Sequence, residues 1–414
     1  MSADREEARG LARGIVGSAR VTAFGTSIVA PAASVVTVLV IMMSYAGFAS
    51  PLVVLITFAG SLCCALSIAE FARRVPSAGW AYTYNSRGLG QTAGFLTGWM
   101  MIFGYALFVP AGIALTSMYA SRLLSDDVFH ATVSPSVLFV VIVAAVALVT
   151  YLGIGTSASV DLLLVAGEMA VIAALAITIL VKIGPAHYSL AVFSPASSPH
   201  GQLTEITNAM IYGITAFAGF EAAAALGEEA RDTRRSVPAS IIGIVIVTGI
   251  FYLLVILAET FDAGRDGIPR FIAEPSPLGD LTSRYWSPSA LWVIDLVVVL
   301  PGLGFVIAAS NAAIRILFAM AREQALPGIA DQAVPPPYSR RRDRVPGGDH
   351  PAARPPADLR LRRSAPSATS PERAGSRWCS STCPGTSRLS ARSAPSSATS
   401  SASGGICSSR PRPW

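Results

Sequence analysis

Residues 21–69 read VTAFGTSIVAPAASVVTVLVIMMSYAGFASPLVVLITFAGSLCCALSIA, a run of 49 residues without a charged side chain. A helix needs about 20 apolar residues to cross the hydrocarbon core of a bilayer, so the run is long enough for two crossings. Residues 45–51 (YAGFASP) combine glycine, serine and proline, and they predict the point at which the chain reverses. The run therefore predicts two membrane-spanning helices.

The composition of the whole chain excludes a set of soluble domains. Apolar residues make up 52% of the 414 residues, charged residues 14%, and the mean hydropathy is +0.54, whereas soluble domains carry about 25% charged residues. The net charge of +6 is unevenly placed. Residues 1–334 hold 17 basic and 21 acidic side chains, a net −4, and residues 335–414 hold 14 and 4, a net +10.

Six further charge-poor runs predict six more spans. They cover about residues 88–121, 134–152, 157–183, 203–226, 237–261 and 289–322. With the N-terminal segment 1–20 inside, the inner loops would hold eleven arginines and the outer loops five basic residues, and positive charge concentrates on the cytoplasmic side. The sequence predicts a multi-pass protein of the cell membrane with both ends of the eight-span region in the cytoplasm.

The first and sixth predicted spans are interrupted. Span one has Gly25 and Pro31 in its middle, and proline removes a backbone donor and clashes with the preceding turn. Span six has small residues around Gly219 and a carboxylate, Glu221, beside them. Matched interruptions in two halves are the best sequence indication of a transporter binding site. The competing interpretation is a pair of packing kinks, since Gly and Pro are frequent in membrane helices.

Backbone groups freed at two such breaks would suit a small zwitterion. Half-helix N-termini attract a carboxylate and free carbonyls accept from an ammonium group, and an α-amino acid carries both. The candidate substrate-binding residues are Ser27, Ile28, Ala30, Pro31, Ala32 and Ala33 in span one, and Phe217, Ala218, Gly219, Phe220 and Glu221 in span six.

Two of the carboxylates inside predicted spans are functional candidates, because ionisable residues are costly within a membrane. Glu168, near the middle of span five, is the candidate for binding a coupling proton; the alternative is a protonated structural side chain bonded to a neighbouring helix. Glu221 would orient the unwound backbone or face a substrate ammonium; the alternative is a simple helix cap.

Three connecting motifs carry a family resemblance. They are ALSIAEFARRVPSAGWAY at 65–82, FAGFE at 217–221 with GEEARDTRRSVP at 227–238, and ASNAAIR at 309–315 with AMAREQALP at 319–327. In this order they resemble the amino acid permeases of the amino acid–polyamine–organocation (APC) superfamily.

The resemblance implies an all-α membrane protein with a five-plus-five inverted repeat. Residues 21–186 would form the first repeat and residues 203–327 an incomplete second repeat that lacks spans nine and ten. The implied function is secondary transport of amino acids or related amines by alternating access, proton-coupled, without cofactor, metal, enzymatic activity or nucleic-acid partner. Some family members carry a lysine near the position of Glu168. Many carry a Gly-Ser-Gly break where this chain has Ala30 to Ala33.

The C-terminal region 328–414 departs from this pattern. The last 80 residues contain 17 Ser, 13 Pro and 14 Arg, a composition that predicts disorder. The switch to Arg, Ser and Pro without Lys favours a frameshift shortly after Pro327; the alternative is a genuine tail that binds anionic lipid. Translating the coding sequence past codon 327 in the other two frames tests this, because apolar spans should resume.

Without the last spans, we expect a chain that transports poorly or not at all. The alternatives are a non-transporting receptor or sensor that keeps the binding site, and an inactive truncated permease.

Overall fold

The computed structural model describes residues 16–128, 132–152, 158–323 and 325. Over these residues the regular structure is helical, apart from one isolated bridge between Val16 and Ala230. The predicted tail at 328–414, the frame change proposed to produce it, and most of the N-terminal segment 1–20 lie outside the described residues.

The longer helices are named here in chain order. They are α1 (Ser18–Val29), α2 (Pro31–Ala33, a π-helical stretch Ser34–Leu39, and Val40–Ala46), α3 (Ser50–Arg74), α4 (Trp80–Leu89), α5 (Gln91–Arg122), α6 (Pro135–Tyr151), α7 (Ala158–Ile183), α8 (Leu203–Phe217), α9 (Thr233–Ala273), α10 (Pro277–Tyr285) and α11 (Leu291–Arg322). A 3₁₀ segment, Phe220–Leu226, follows α8.

Each predicted span coincides with a helix. Within the described residues, six helical segments are long and apolar enough to cross a membrane, and one of them, Ser18–Arg74, is broken at Ala30 and Gly47 and so holds two spans. The predicted fourth span is the shorter apolar helix Pro135–Tyr151. The prediction of an all-α membrane protein is confirmed.

The end of the seventh span agrees with the sequence prediction. The span is predicted to end near residue 261, and α9 loses helical geometry at Gly264, whose φ is 63° and ψ is 175°. The part of α9 after Gly264 is a second, short helical stretch that continues to Ala273 and carries charged residues. Helix α10 follows as a short amphipathic element.

Glycines let neighbouring spans approach closely. A Cβ on Gly213 of α8 would lie 2.8 Å from Thr57 of α3, and one on Gly302 of α11 would lie 2.5 Å from the hydroxyl of Thr116 on α5. Small residues at helix contacts are the usual means of packing within membranes, where no hydrophobic effect drives helices together. Spans two and six thus pack tightly, as do spans three and eight.

The outward faces of the helices are apolar. On α5 the exposed side chains include Met100, Phe103 and Leu107, which recur at helical spacing on one face. A soluble protein rarely exposes a continuous apolar surface of this kind. The lipid bilayer is therefore the environment that this face fits.

Candidate functional site: two facing helix breaks

Span one breaks at Ala30. This residue has φ 48° and ψ 67°, the left-handed region, and it separates the end of α1 at Val29 from the start of α2 at Pro31. An alanine in this region costs about 1–2 kcal/mol, so the surrounding contacts must hold it. Pro31 suits the first helical position, where its missing N–H has no partner to lose.

Span six breaks two residues after α8 ends at Phe217. Ala218 is extended (ψ 138°), Gly219 has φ 113°, and the chain continues as a 3₁₀ segment. The Glu221 carboxylate accepts a hydrogen bond from the Gly219 N–H (2.8 Å) and another from its own backbone N–H. These bonds fit both interpretations of Glu221, a side chain that orients the unwound backbone and a cap at the start of the 3₁₀ segment.

The two breaks are in direct contact. A Cβ on Gly219 would lie 2.7 Å from the carbonyl carbon of Ile28, so only glycine allows the two backbones to approach this closely. The Ser34 hydroxyl donates to the Val29 carbonyl (3.2 Å), and the Tyr252 hydroxyl donates to the Ala216 carbonyl (2.9 Å). Side chains thus satisfy backbone carbonyls freed at each break, as burial at this depth requires.

The predicted residues do not all face the contact between the breaks. Ser27, Ile28, Ala32 and Gly219 are buried, and of these Ile28 and Gly219 meet directly. Phe217 points into the bundle instead, since its ring stacks on Phe58 (6.0 Å between centroids) and meets Tyr252 edge-on (5.3 Å). Of the other predicted residues, Ala30, Pro31 and Phe220 are buried, and Ala33, Ala218 and Glu221 are partly buried.

Glu168 reaches the span-one break from α7. Its side chain is 2% exposed, its carboxylate accepts a hydrogen bond from the Ala32 N–H, and its Oε1 atom has no hydrogen-bond partner in the described structure. The hydroxyl of Tyr252 lies close enough to interact electrostatically. Among the described residues, no basic side chain forms an ion pair with this carboxylate. The predicted coupling residue thus touches the predicted binding segment.

Tyr105 on α5 adds a polar group beside the other break. It is 6% exposed, its hydroxyl has no hydrogen-bond partner among the described residues, and it lies within electrostatic range of Glu221. Trp99, one helical turn and a half earlier, is 46% exposed and faces outward. Of these two aromatic residues, Tyr105 therefore lies beside the break and Trp99 does not.

One end of the bundle contains a buried ion pair that the sequence analysis does not predict. Arg315 of α11 forms a two-pronged ion pair with Glu229, and the side chains are 10% and 3% exposed. The Arg315 guanidinium also lies over the Phe24 ring, 5.9 Å from its centroid. The available signal is that Arg315 is a lone positive charge within an apolar span, which marks it as functional or paired.

The three resemblance motifs converge at this same end. The Glu228 carboxylate accepts from the Ala78 N–H (2.9 Å), linking the second motif to the first. The Tyr82 hydroxyl bonds to Glu323, linking the first motif to the third. Val16 completes the cluster, because its N–H donates to the Glu229 carbonyl (3.0 Å).

Two cavities lie at opposite ends of the bundle. One, of about 920 Å³, is lined by Arg73, Arg74, Arg234, Arg235, Pro238, Ala239 and Ile242. The other, of about 400 Å³, lies between α5 and α10, with Tyr119, Arg122 and Asp280 in its lining. Within the described residues, three or more His, Cys, Asp or Glu side chains nowhere gather as a metal site would require.

These features define a class of protein before any comparison: an all-α, multi-pass membrane protein whose two broken helices meet inside the bundle. The sequence profile of the amino acid permease family, described as "Amino acid permease", matches residues 23–342. The match covers more than half of the chain, and the chain belongs to this family.

Curated relatives agree with this assignment. The chain is 28% identical over 273 residues to an uncharacterized transporter of Mycobacterium tuberculosis, covering 64% of this chain and 56% of the relative. It is 27% identical over 285 residues to the branched-chain amino acid permease BcaP of Bacillus subtilis, covering 66% and 59%. It is 29% identical over 195 residues to the low-affinity putrescine importer PlaP of Escherichia coli, covering 46% and 41%. The chain therefore matches about half the length of these relatives.

Proposed function

We propose that this protein carries out secondary active transport of amino acids or related amines across the cell membrane, with its N-terminus in the cytoplasm. The observation that carries the proposal is the contact between the two helix breaks at Ile28 and Gly219. Broken helices that meet in the middle of a bundle supply backbone dipoles to a small polar substrate while the remaining backbone stays bonded. The relatives named as permease and importer act on the same substrate class.

The groups at the breaks favour the ammonium end of the substrate. Pro31 has no N–H, and the Ala32 N–H is bonded to Glu168, so few donors remain for a substrate carboxylate. Glu221, in contrast, brings carboxylate oxygens, which can accept from an ammonium group, next to the unwound span. We therefore propose that amines and amino acids compete for the site, with the ammonium group as the common determinant.

We propose Glu168 as the residue that binds the coupling proton. A carboxylate that is 2% exposed, with one backbone donor, is costly to keep charged. Protonation of the Glu168 carboxylate would weaken its hydrogen bond to the Ala32 N–H. Ala32 lies in the first turn of the half-helix that would move in an alternating-access cycle. Proton occupancy would then be linked to the conformation of span one.

The test is uptake by the purified full chain in proteoliposomes. Any accumulation of labelled leucine or putrescine should require an acidic outside and should collapse when a protonophore is added. Its rate should be low, because the sequence predicts a chain that transports poorly or not at all. Each unlabelled compound should inhibit uptake of the other. Accumulation that is unaffected by the protonophore would exclude proton coupling.

The same preparation distinguishes the alternatives left open by the sequence. Saturable binding of leucine or putrescine without uptake would indicate a receptor or sensor. Absence of both binding and uptake by a folded protein would indicate an inactive permease. Both measurements are needed because the chain spans only 56–59% of the length of the first two relatives reported above.

A further inference from the structure

The basic cavity at one end of the bundle is not explained by transport. Arg73 and Arg74 end α3, Arg234 and Arg235 begin α9, and the four side chains border one cavity of about 920 Å³. Spans two and seven thus place four positive charges together at the membrane surface.

The cavity is poorly neutralised by the protein itself. Glu70 pairs with Arg74 (2.6 Å) and more distantly with Arg73 (3.6 Å). Among the described residues, no ion pair with a carboxylate is formed by Arg234 or Arg235. Both arginines lie in the first turn of α9, where a positive charge opposes the helix dipole and costs about 0.3–1 kcal/mol each. An anion in the cavity would remove this conflict.

An apolar stripe runs from the cavity along α9 into the membrane. Ala239 and Ile242 line the cavity, and Ile246 (38% exposed) and Ile250 (61% exposed) continue on the same helical face. The distance from Arg235 to Ile250 is about 22 Å at 1.5 Å per residue, which is about one leaflet including its headgroups. A soluble phosphate would use only the arginines, whereas a phospholipid would use both the arginines and the stripe.

We propose that the arginine cavity binds the phosphate headgroup of an anionic phospholipid, with an acyl chain lying along Ala239, Ile242, Ile246 and Ile250. Basic pockets between membrane helices on the cytoplasmic side are suited to such headgroups. The bound lipid bridges the ends of spans two and seven and stabilises their contact.

Thermal unfolding of the purified full chain in detergent tests this site. Dioleoyl phosphatidylglycerol should raise the midpoint of unfolding by several degrees, and dioleoyl phosphatidylcholine should raise it much less. The variant Arg234→Gln/Arg235→Gln should lose at least half of the phosphatidylglycerol shift. Arg87→Gln is the control, because Arg87 is exposed at the end of α4 and does not line the cavity. All variants keep the arginine-rich region after residue 335, so its contribution cancels.

Four results would overturn the proposal: equal stabilisation by both lipids, an unchanged shift in the double variant, an equal loss in Arg87→Gln, or a full shift produced by glycerol phosphate alone. The last result would assign the cavity to a soluble phosphate compound. If the double variant does not fold, the test is the salt dependence of the shift that phosphatidylglycerol produces in the wild-type unfolding midpoint. The shift must weaken between 50 and about 500 mM salt because it is electrostatic, and a constant shift would contradict the site.

Discussion

The carboxylate of Glu168 accepts a hydrogen bond from the backbone N–H of Ala32, so the one polar side chain in the middle of the fifth span is bonded to the break in the first. Every group in this contact is buried, and Ala32 itself is 1% exposed. The contact joins the fifth span to the half-helix of span one that is proposed to move. A change in the charge of Glu168 therefore acts directly on the segment proposed to bind substrate.

Replacing this carboxylate separates proton coupling from binding. Glu168→Gln keeps an oxygen acceptor for the Ala32 N–H but cannot exchange a proton. We expect gradient-driven uptake to fall at least tenfold, while exchange of internal for external substrate continues. Glu259→Gln is the matched control, since Glu259 is also 2% exposed and has an unpartnered carboxylate oxygen among the described residues. Gradient-driven uptake by Glu168→Gln at the wild-type rate would contradict the proposed role.

Adding one methyl group at the second break should separate the two breaks. In Gly219→Ala, the new Cβ would meet the Ile28 backbone at 2.7 Å, and the φ of 113° would be strained for alanine. The strain alone costs about 1–3 kcal/mol. We expect a lower unfolding midpoint and loss of substrate binding. Gly243→Ala should leave the midpoint unchanged or raise it, because nothing lies within 4 Å of its added Cβ. Equal effects of the two changes would show that the break contact is unimportant.

Breaking the buried ion pair should destabilise the protein far more than breaking an exposed one. Arg315→Met leaves Glu229 buried without its partner, and breaking such a pair costs about 3–5 kcal/mol. The double variant Glu229→Gln/Arg315→Met should recover much of the loss, since neither charge remains. Disrupting the exposed pair with Glu70→Gln should cost at most about 1 kcal/mol, because the Arg74 side chain is 74% exposed. Unfolding midpoints of the wild type, Arg315→Met, Glu229→Gln and the double variant measure the coupling between the two charges, and additive losses would exclude it.

Thiol labelling of whole cells tests the orientation inferred from the arginine count. In a background with all five cysteines replaced, an impermeant thiol reagent should label His187→Cys, which follows α7 on the side expected to be outside. Arg87→Cys, in the loop helix α4, should react only after the cells are lysed. The reverse pattern would show that the N-terminus is outside.

The positions of both breaks could be predicted from sequence because they depend on local chemistry. Pro31 lacks a backbone donor, and Gly219 tolerates a positive φ, so each acts within its own turn of helix. The spans follow equally from local composition, since apolar residues must match the thickness of the bilayer. The end of the seventh span follows from composition as well, since α9 loses helical geometry at Gly264, three residues after the predicted end at Phe261.

The pairings between distant residues could not be predicted in this way. Glu229 and Arg315 are 86 positions apart, and both are visible in the sequence only as members of separate motifs. The arginine cavity likewise joins the end of the second span to the start of the seventh. Nothing in either segment alone indicates which charges it will meet.

The sequence by itself determined that this chain is an all-α membrane protein of the permease type, that two of its spans are interrupted, and which carboxylates lie at membrane depth. Only the tertiary structure decided that the interruptions face each other, that Glu168 bonds to Ala32, and that Arg315 is neutralised by Glu229. The physical reason is range. Hydropathy and backbone chemistry act within a few residues, whereas the partners of a buried charge depend on how the helices pack.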